Sequence, residues 1–329
     1  MRMLRFITLA VLAIAWLSFG AAAQTAGKVY RIGYLAIGSS GTPLTVAMIE
    51  GLTSGLRQRG YSVGTNLLIE SRFAEGKPER LPGLAKELLD SKIDVLVTTS
   101  YPAARAAKDA TSTVPIVVDG AGDPAETGLA ASFSRPGGNL TGTSDMASEL
   151  STKRLELLKA AVPRLQRVAM LYNAKDIGMT ARYKAASAAA TVLGVAVQQL
   201  GVGEPDDFDS AFAAMTREMP DGILMVTDVL TNLNRKRVFE FAAARRLPAI
   251  YEVSYMVREG GLMSYGAERR ETAERVADMV ARILKGAKPA DMPFEQPTHF
   301  RFVINRKTAD SLGLVIPEAL FERADEVIE

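Results

Sequence analysis

The 329-residue chain has no cysteine and a single histidine, His299. Without cysteine there can be no disulfide, thiolate metal site, iron–sulfur ligation or thiol nucleophile. One histidine argues against a histidine-rich metal centre and against a Ser-His-Asp triad. The chain contains no G-x-x-x-x-G-K-[ST], H-E-x-x-H or G-x-S-x-G, which removes the P-loop, zincin and nucleophile-elbow signatures. Charge of one sign is also missing: 39 Lys and Arg stand against 37 Asp and Glu, with no basic block. Such a chain has no electrostatic footprint for nucleic acid. At 48% hydrophobic and 23% charged residues, the composition is that of an ordinary globular protein, not of a disordered, collagen-like or coiled-coil chain.

Residues 1–23 form a separate segment. Arg2 and Arg5 precede an almost wholly apolar stretch from Ile7 to Phe19, and Ala21-Ala22-Ala23 offers an A-x-A site before Gln24. This is the n-region, h-region and cleavage pattern of a secretory signal; the apolar run falls short of the ~20 residues that span a bilayer. Cleavage after Ala23 removes two arginines and no acid, leaving a formally neutral chain. A periplasmic location is expected, with the mature protein not embedded in the membrane.

From residue 28 onward, short β-rich runs alternate with amphipathic helical patterns. Strands are expected at Val29–Ala36, Leu67–Phe73, Ile93–Thr98, Val114–Val118, Arg167–Tyr172, Val195–Leu200, Gly222–Thr227, Ala249–Tyr251, Leu262–Tyr265 and Phe300–Asn305. Between them, Leu44, Ala47, Met48, Gly51, Leu52, Gly55 and Leu56 form a one-sided helical stripe, closed by Gly60 as a C-terminal glycine would close it. Further helices are read from Pro78 to Asp90 and at Pro102–Ala110, Thr152–Ala161, Met179–Leu193, Asp206–Met219, Asn234–Arg246 and Glu268–Lys285. Alternating β and α elements predict parallel sheets with helices on both faces. About ten strands exceed one compact unit of this length, so the fold class is α/β with two doubly wound parallel-sheet lobes joined by a hinge. Lobe 1 is expected to hold residues 28–145 with about 266–292, and lobe 2 residues 146–265 with about 293–329, after which Phe300–Asn305 leads into a short helical tail.

In open parallel sheets, ligands bind outside the carboxyl ends of the strands. The segments there contain Ser39, Ser40, Thr42, Thr99, Ser100, Asp123, Asn173, Asp228, Tyr251, Glu252 and Tyr265, which form the candidate ligand site. Hydroxyls, a few carboxylates and tyrosines suit a small polar molecule with an apolar part, and suit covalent catalysis poorly. Ser40, Thr42 and Ser100 also read as helix caps, and Asp228 and Glu252 as acids opening helices. Helix N-termini after Ser40 and Ser100 would receive a carboxylate, and Asp228 or Asp123 an amine. Gly120-Ala121-Gly122-Asp123-Pro124-Ala125 fits a dinucleotide fingerprint, but Asp123 would set a carboxylate beside the pyrophosphate. No cofactor and no metal are expected.

Several blocks then carry a resemblance: Arg31-Ile32-Gly33-Tyr34-Leu35, Gly122-Asp123-Pro124, Ser134-Arg135-Pro136-Gly137-Gly138-Asn139-Leu140-Thr141-Gly142, Lys153-Arg154-Leu155-Glu156-Leu157-Leu158 and Gly260-Gly261-Leu262-Met263-Ser264-Tyr265-Gly266. From about residue 29 to its end the chain resembles the ABC transporter substrate-binding proteins whose better-studied members bind tryptophan and other aromatic amino acids. The resemblance implies a type I periplasmic-binding-protein fold with three crossovers, no enzymatic activity, and partnership with a membrane permease and, through it, an ATPase. It also places Asp123, Tyr251 and Tyr265 in matching blocks. Val118-Asp119-Gly120-Ala121 is more polar than the family's apolar run there, a departure that points away from an aromatic ligand. The expected function is reversible binding of a small solute, an amino acid or related carboxylate, by a monomer. A periplasmic sensor would use the same site, and a hydrolase or isomerase would need Asp123 paired with Asp228.

Overall fold

The computed structural model describes residues 28–329; the signal reading of residues 1–23 lies outside the described residues. The first sheet opens with β1 (Tyr30–Ala36), flanked by β2 (Leu67–Phe73) and β3 (Val95–Thr99), and continues through β4 (Ile116–Asp119) to β5 (Leu140–Gly142). All its pairings are parallel. Alternate side chains leave a strand on opposite faces, so Ile116 and Val118 of β4 enter one core and Val117 the other. Burial on both faces explains why these strands read as unbroken apolar runs. The connecting helices are α1 (Pro43–Gln58), α2 (Leu81–Asp90) and α3 (Ser100–Ala110).

The chain then crosses to α4 (Ala147–Ala161) and a second sheet. Its strands are β6 (Arg167–Asn173), β7 (Ala196–Val202), β8 (Gly222–Met225), β9 (Ala249–Tyr251), β10 (Met263–Ala267), β11 (Phe300–Asn305) and β12 (Glu326–Ile328). They lie in the order β12-β11-β10-β9-β8-β6-β7. Between and around them run α5 (Ile177–Val192), α6 (Asp207–Arg217), α7 (Val229–Leu233), α8 (Arg235–Arg245), α9 (Ser254–Arg258), α10 (Arg269–Leu284), α11 (Arg306–Leu312) and α12 (Glu318–Phe321). One pairing breaks the parallel pattern: β10 and β11 are antiparallel, with Met263 opposite Ile304.

Two sheet orders reverse direction at specific strands, and these reversals position the site. In the first sheet β1 connects to β2 on one side while β3 lies on the other. In the second, β6 stands between β7 and β8 in the same way. Crevices at such reversals receive ligands at the carboxyl ends of the strands.

The chain passes between lobes after β5, after β10 and before β11. These strands of chain are laced together: Ser144 N–H donates to the Glu295 carbonyl at 2.8 Å, Glu295 N–H to Gly142 at 3.0 Å, and Glu268 N–H to His299 at 3.0 Å. The Thr141 hydroxyl donates to the Met292 carbonyl at 2.7 Å.

Helix α10 leaves the second sheet and docks on α1 of the first lobe. Gly51 and Gly55, one turn apart, face Ala273 and Ala277; a Cβ on either glycine would stand 2.5 or 2.6 Å from the alanine Cβ opposite. A mid-helix glycine costs roughly 0.5–1 kcal/mol relative to alanine, and here it allows the two backbones to approach.

Elements that the sequence pattern missed are short. β5 lies at Leu140–Gly142, between two expected strands, and β12 in the expected helical tail. Helices α7 and α9, of five residues each, are too short to show a period.

The glycine seam generates a prediction. Gly55→Val forces α1 and α10 apart, with an expected loss of about 1–3 kcal/mol by urea denaturation. A variant of unchanged stability would show that the seam is loose.

Candidate functional site

Between the lobes lies a cleft of about 990 Å³, its open mouth included. The first lobe contributes Tyr34 and Ala36 from β1, Ile37 to Ser39 and Thr42 from the turn that follows, and Thr99 and Ser100 at the end of β3. Asp119 and Gly120 come from the end of β4. The second lobe contributes Asp176, Met179 and Arg182 around the start of α5, Thr227 to Val229 after β8, and Glu252 after β9. Asp145 and Arg269 enter from two crossovers.

The floor is a buried ionic network. Arg154 Nη1 donates to Glu252 Oε1 at 2.9 Å, and its Nε to the Tyr265 carbonyl at 2.7 Å. Arg182 Nη1 reaches both Glu252 oxygens at 3.1 Å, and its Nη2 donates to Asp145 Oδ2 at 2.6 Å. Burial opposes the charge on both guanidiniums. It prevails at Arg154, lowering its pKa despite Glu252; at Arg182 the carboxylates of Asp145, Glu252 and Asp176 outweigh it and raise the pKa. Glu252 is seated by Gly266, where a Cβ would stand 2.0 Å from the Glu252 carbonyl oxygen.

Above this floor several polar atoms are buried without a hydrogen-bond partner among the described residues: Tyr34 Oη, Asp119 Oδ1, Asp145 Oδ1, Arg182 Nε and Thr227 Oγ1. Buried polar groups are almost always paired, so their convergence on one cleft marks a place built for a polar guest. Burial pushes the Tyr34 hydroxyl well above its ordinary pKa, with Asp119 adding to the effect, so it stays a donor. Arg269 lines the same corner and lowers the Asp119 pKa through its charge, yet no ion pair or hydrogen bond of its side chain is found among the described residues. It occupies the first turn of α10, where the helix dipole disfavours a cation.

The expected residues separate into three groups. Ser39, Thr42, Thr99, Ser100, Asp228 and Glu252 line the cleft. Thr42 also caps α1, accepting from Thr45 N–H at 3.2 Å. Ser100, at φ 64°, holds the left-handed backbone that non-glycine residues avoid, a strain found where chain geometry serves a site. Asp228 caps α7: Oδ1 accepts from Thr231 N–H at 2.8 Å, and Oδ2 from Asn173 Nδ2 at 2.6 Å. Asn173 therefore stands behind the wall, supporting Asp228.

Ser40, Asp123, Tyr251 and Tyr265 are not part of the lining. Ser40 is exposed on the turn before α1. Asp123 Oδ1 accepts the N–H groups of Ala125 and Glu126 at 3.0 and 2.9 Å in a local turn, so it does not pair with Asp228. Tyr251 is buried edge-on against Phe239, and Tyr265 stacks on Phe300.

The sequence carried signals for several residues that were passed over. Arg154 shares a stripe with Leu150, Leu157, Leu158 and Ala161, and Arg182 with Met179, Ala186 and Ala190; all are buried. An arginine on the apolar face of a helix needs a buried partner. Asp119 ends the apolar run Ile116-Val117-Val118 at the carboxyl end of β4.

The ABC transporter substrate binding protein family model matches residues 41–328. The tyrosine-binding protein of Clostridioides difficile (strain R20291) is 25% identical over 265 residues, covering 80% of this chain and 76% of that protein. Among solved structures, the ABC domain in complex with L-Trp from Streptococcus pneumoniae is 28% identical and superposes with a TM-score of 0.85, over 91% of this chain and 99% of that one. A ligand-free, open substrate-binding protein with adhesive properties from Clostridium difficile is 25% identical, with a TM-score of 0.68 over 91% and 99% of the two chains.

The pKa of Asp119 sets a pH dependence. Burial pushes this carboxyl from 3.8 to about 6, with Arg269 opposing the shift and Asp145 adding to it. Between these values the folded chain holds a proton that the unfolded chain has released, so stability falls as pH rises through that window. Asp119→Asn removes the buried charge. Its expected gain over the parent at pH 8 is on the order of 2–3 kcal/mol, closing as the medium is acidified towards the lower value. Urea unfolding across a pH series measures this; a difference independent of pH would refute it.

Proposed function

Because the chain belongs to the ABC transporter substrate-binding protein family, we propose that its cleft receives an α-amino acid as the zwitterion. Proteins of this family bind a small solute outside the cytoplasm and work with an ABC transporter. Among the described residues, no helix is long and apolar enough to cross a membrane. The observation that carries the amino-acid reading is the pairing of unmet needs at one corner: the orphaned Asp119 oxygen and the Arg269 guanidinium, which has no partner among the described residues.

The two groups attract each other without forming an ion pair. An ammonium set against Asp119 and a carboxylate set against Arg269 would satisfy both, and these two ligand groups share one carbon. The Tyr34 hydroxyl supplies a further donor to the carboxylate. The Asp119 ammonium contact replaces the earlier expectation of Asp228 or Asp123, since Asp119 shares its corner with Arg269 and Asp123 is committed to its own turn.

Asp119 belongs to the first lobe, Arg269 to a crossover and Arg182 to the second lobe, so a ligand at this corner bridges both halves. Closure is then favoured by the contacts that exist only in the closed form. The chain superposes better on the L-Trp complex than on the ligand-free, open relative, which supports a closed arrangement of the lobes. The reading extends to a periplasmic monomer, freed of residues 1–23, that hands its solute unchanged to a permease and its ATPase. Non-enzymatic binding is supported by the engagement of Asp228, Glu252 and Asp145 in caps and ion pairs, which leaves them ill placed to shuttle protons.

Isothermal titration of the ligand-stripped protein with the twenty L-amino acids tests this. At least one is expected to bind, with Arg269→Met weakening it by about 30-fold or more, in line with the removal of one partner of a desolvated charge pair. Binding that requires no α-carboxylate, or that survives Arg269→Met unchanged, would refute the assignment.

A further inference from the structure

Taking the amino-acid reading as its basis, we infer that the cleft selects amino acids with a cationic side chain, received by Asp176, Asp228 and Thr227. The charges around the site divide into three sets. Glu252 and Asp145 are matched by Arg154 and Arg182 within the buried network. Asp119 and Arg269 are matched by the ammonium and carboxylate of the ligand. Asp176 and Asp228 remain, and neither forms an ion pair among the described residues.

Asp176 and Asp228 come from the two strand ends that flank the reversal in the second sheet, after β6 and β8. Burial, with the Asp228 charge adding to it, outweighs the Arg182 charge and the two backbone N–H groups, so that the Asp176 carboxyl lies above its ordinary pKa. Asp176 Oδ1 is occupied by the N–H groups of Gly178 and Met179 at 2.7 and 3.3 Å. Thr227, next to Asp228 and 9% exposed, lines the cleft with its hydroxyl oxygen unpartnered. A buried hydroxyl without a partner beside two carboxylates that form no ion pair among the described residues is an acceptor set for an ammonium or guanidinium.

The walls suit such a ligand. Met48, Met179, Val229 and Leu233 offer an apolar slot for methylenes, and the lining contains one aromatic ring, that of Tyr34. An indole or phenol would find no second ring to stack on, and would enclose two carboxylates that have no ion-pair partner among the described residues. A side-chain cation supplies the counter-charge and leaves its methylene stem against the slot, as lysine and arginine stems commonly lie.

The test is titration of the full ligand-stripped chain with L-lysine, L-arginine and L-ornithine, against L-leucine, L-tyrosine and L-tryptophan. The basic group is expected to bind tighter by about 30-fold or more. Asp176→Asn retains the helix cap, since asparagine caps as well as aspartate, and is expected to abolish most of that preference, read as the ratio of basic to neutral amino-acid affinities. Thr227→Val, which breaks no side-chain hydrogen bond among the described residues, should reduce the preference in the same direction. Tighter binding of any neutral amino acid, or equal losses for both groups in Asp176→Asn, overturns the selectivity but leaves the zwitterion site standing. Failure of every amino acid to bind overturns the zwitterion site itself.

Discussion

The organisation of this protein depends on two arginines held inside it. Arg154 on α4 and Arg182 on α5 reach across the end of the second sheet to Glu252, and Arg182 continues to Asp145 in the crossover from the first lobe. Removing one partner of such a buried set leaves a charge stranded, at about 3–5 kcal/mol. The network therefore fixes the positions of four elements at once: two helices, the end of β9 and one interlobe connection. It forms the floor over which the cleft opens, and each of its carboxylates is ion-paired before any ligand arrives.

That floor gives meaning to the groups left unpaired above it. Tyr34, Asp119 and Thr227 are buried as deeply as core residues but have no partner for the polar atoms that face the cleft. A folded chain tolerates such costs where something else repays them, and a guest held between two lobes does so only when both lobes touch it. The crossovers permit this arrangement. They run side by side, joined by backbone hydrogen bonds at Gly142, Ser144 and Glu295, while α10 is drawn back onto α1 by the glycine–alanine seam.

Much of the architecture was legible in the sequence because parallel strands buried on both faces write themselves as apolar runs. β2, β9 and β11 fall at the residues expected of them. The helical stripe containing Gly51 and Gly55 was also visible, but the reason for its glycines was not, since the partner helix lies more than two hundred residues further along. The site divided along the same line. Strand-end segments pointed to Ser39, Thr99, Ser100, Asp228 and Glu252, because the carboxyl ends of parallel strands follow from the strand pattern alone. Asp123 and Tyr265 stood in recognisable blocks, yet local hydrogen bonds and ring stacking turn them to structural use.

The sequence by itself determined the alternation of elements, the two-lobed α/β class and the family likeness, all of which follow from local periodicity and contiguous motifs. Only the tertiary structure decided which charges are spent and which are free. Asp119 and Arg269 are separated by 150 positions, Asp176 and Asp228 by 52, and Arg154 and Glu252 by 98. Whether a carboxylate caps a helix, neutralises an arginine or waits for a ligand depends on distances of a few ångströms between such remote residues, and no local pattern encodes them.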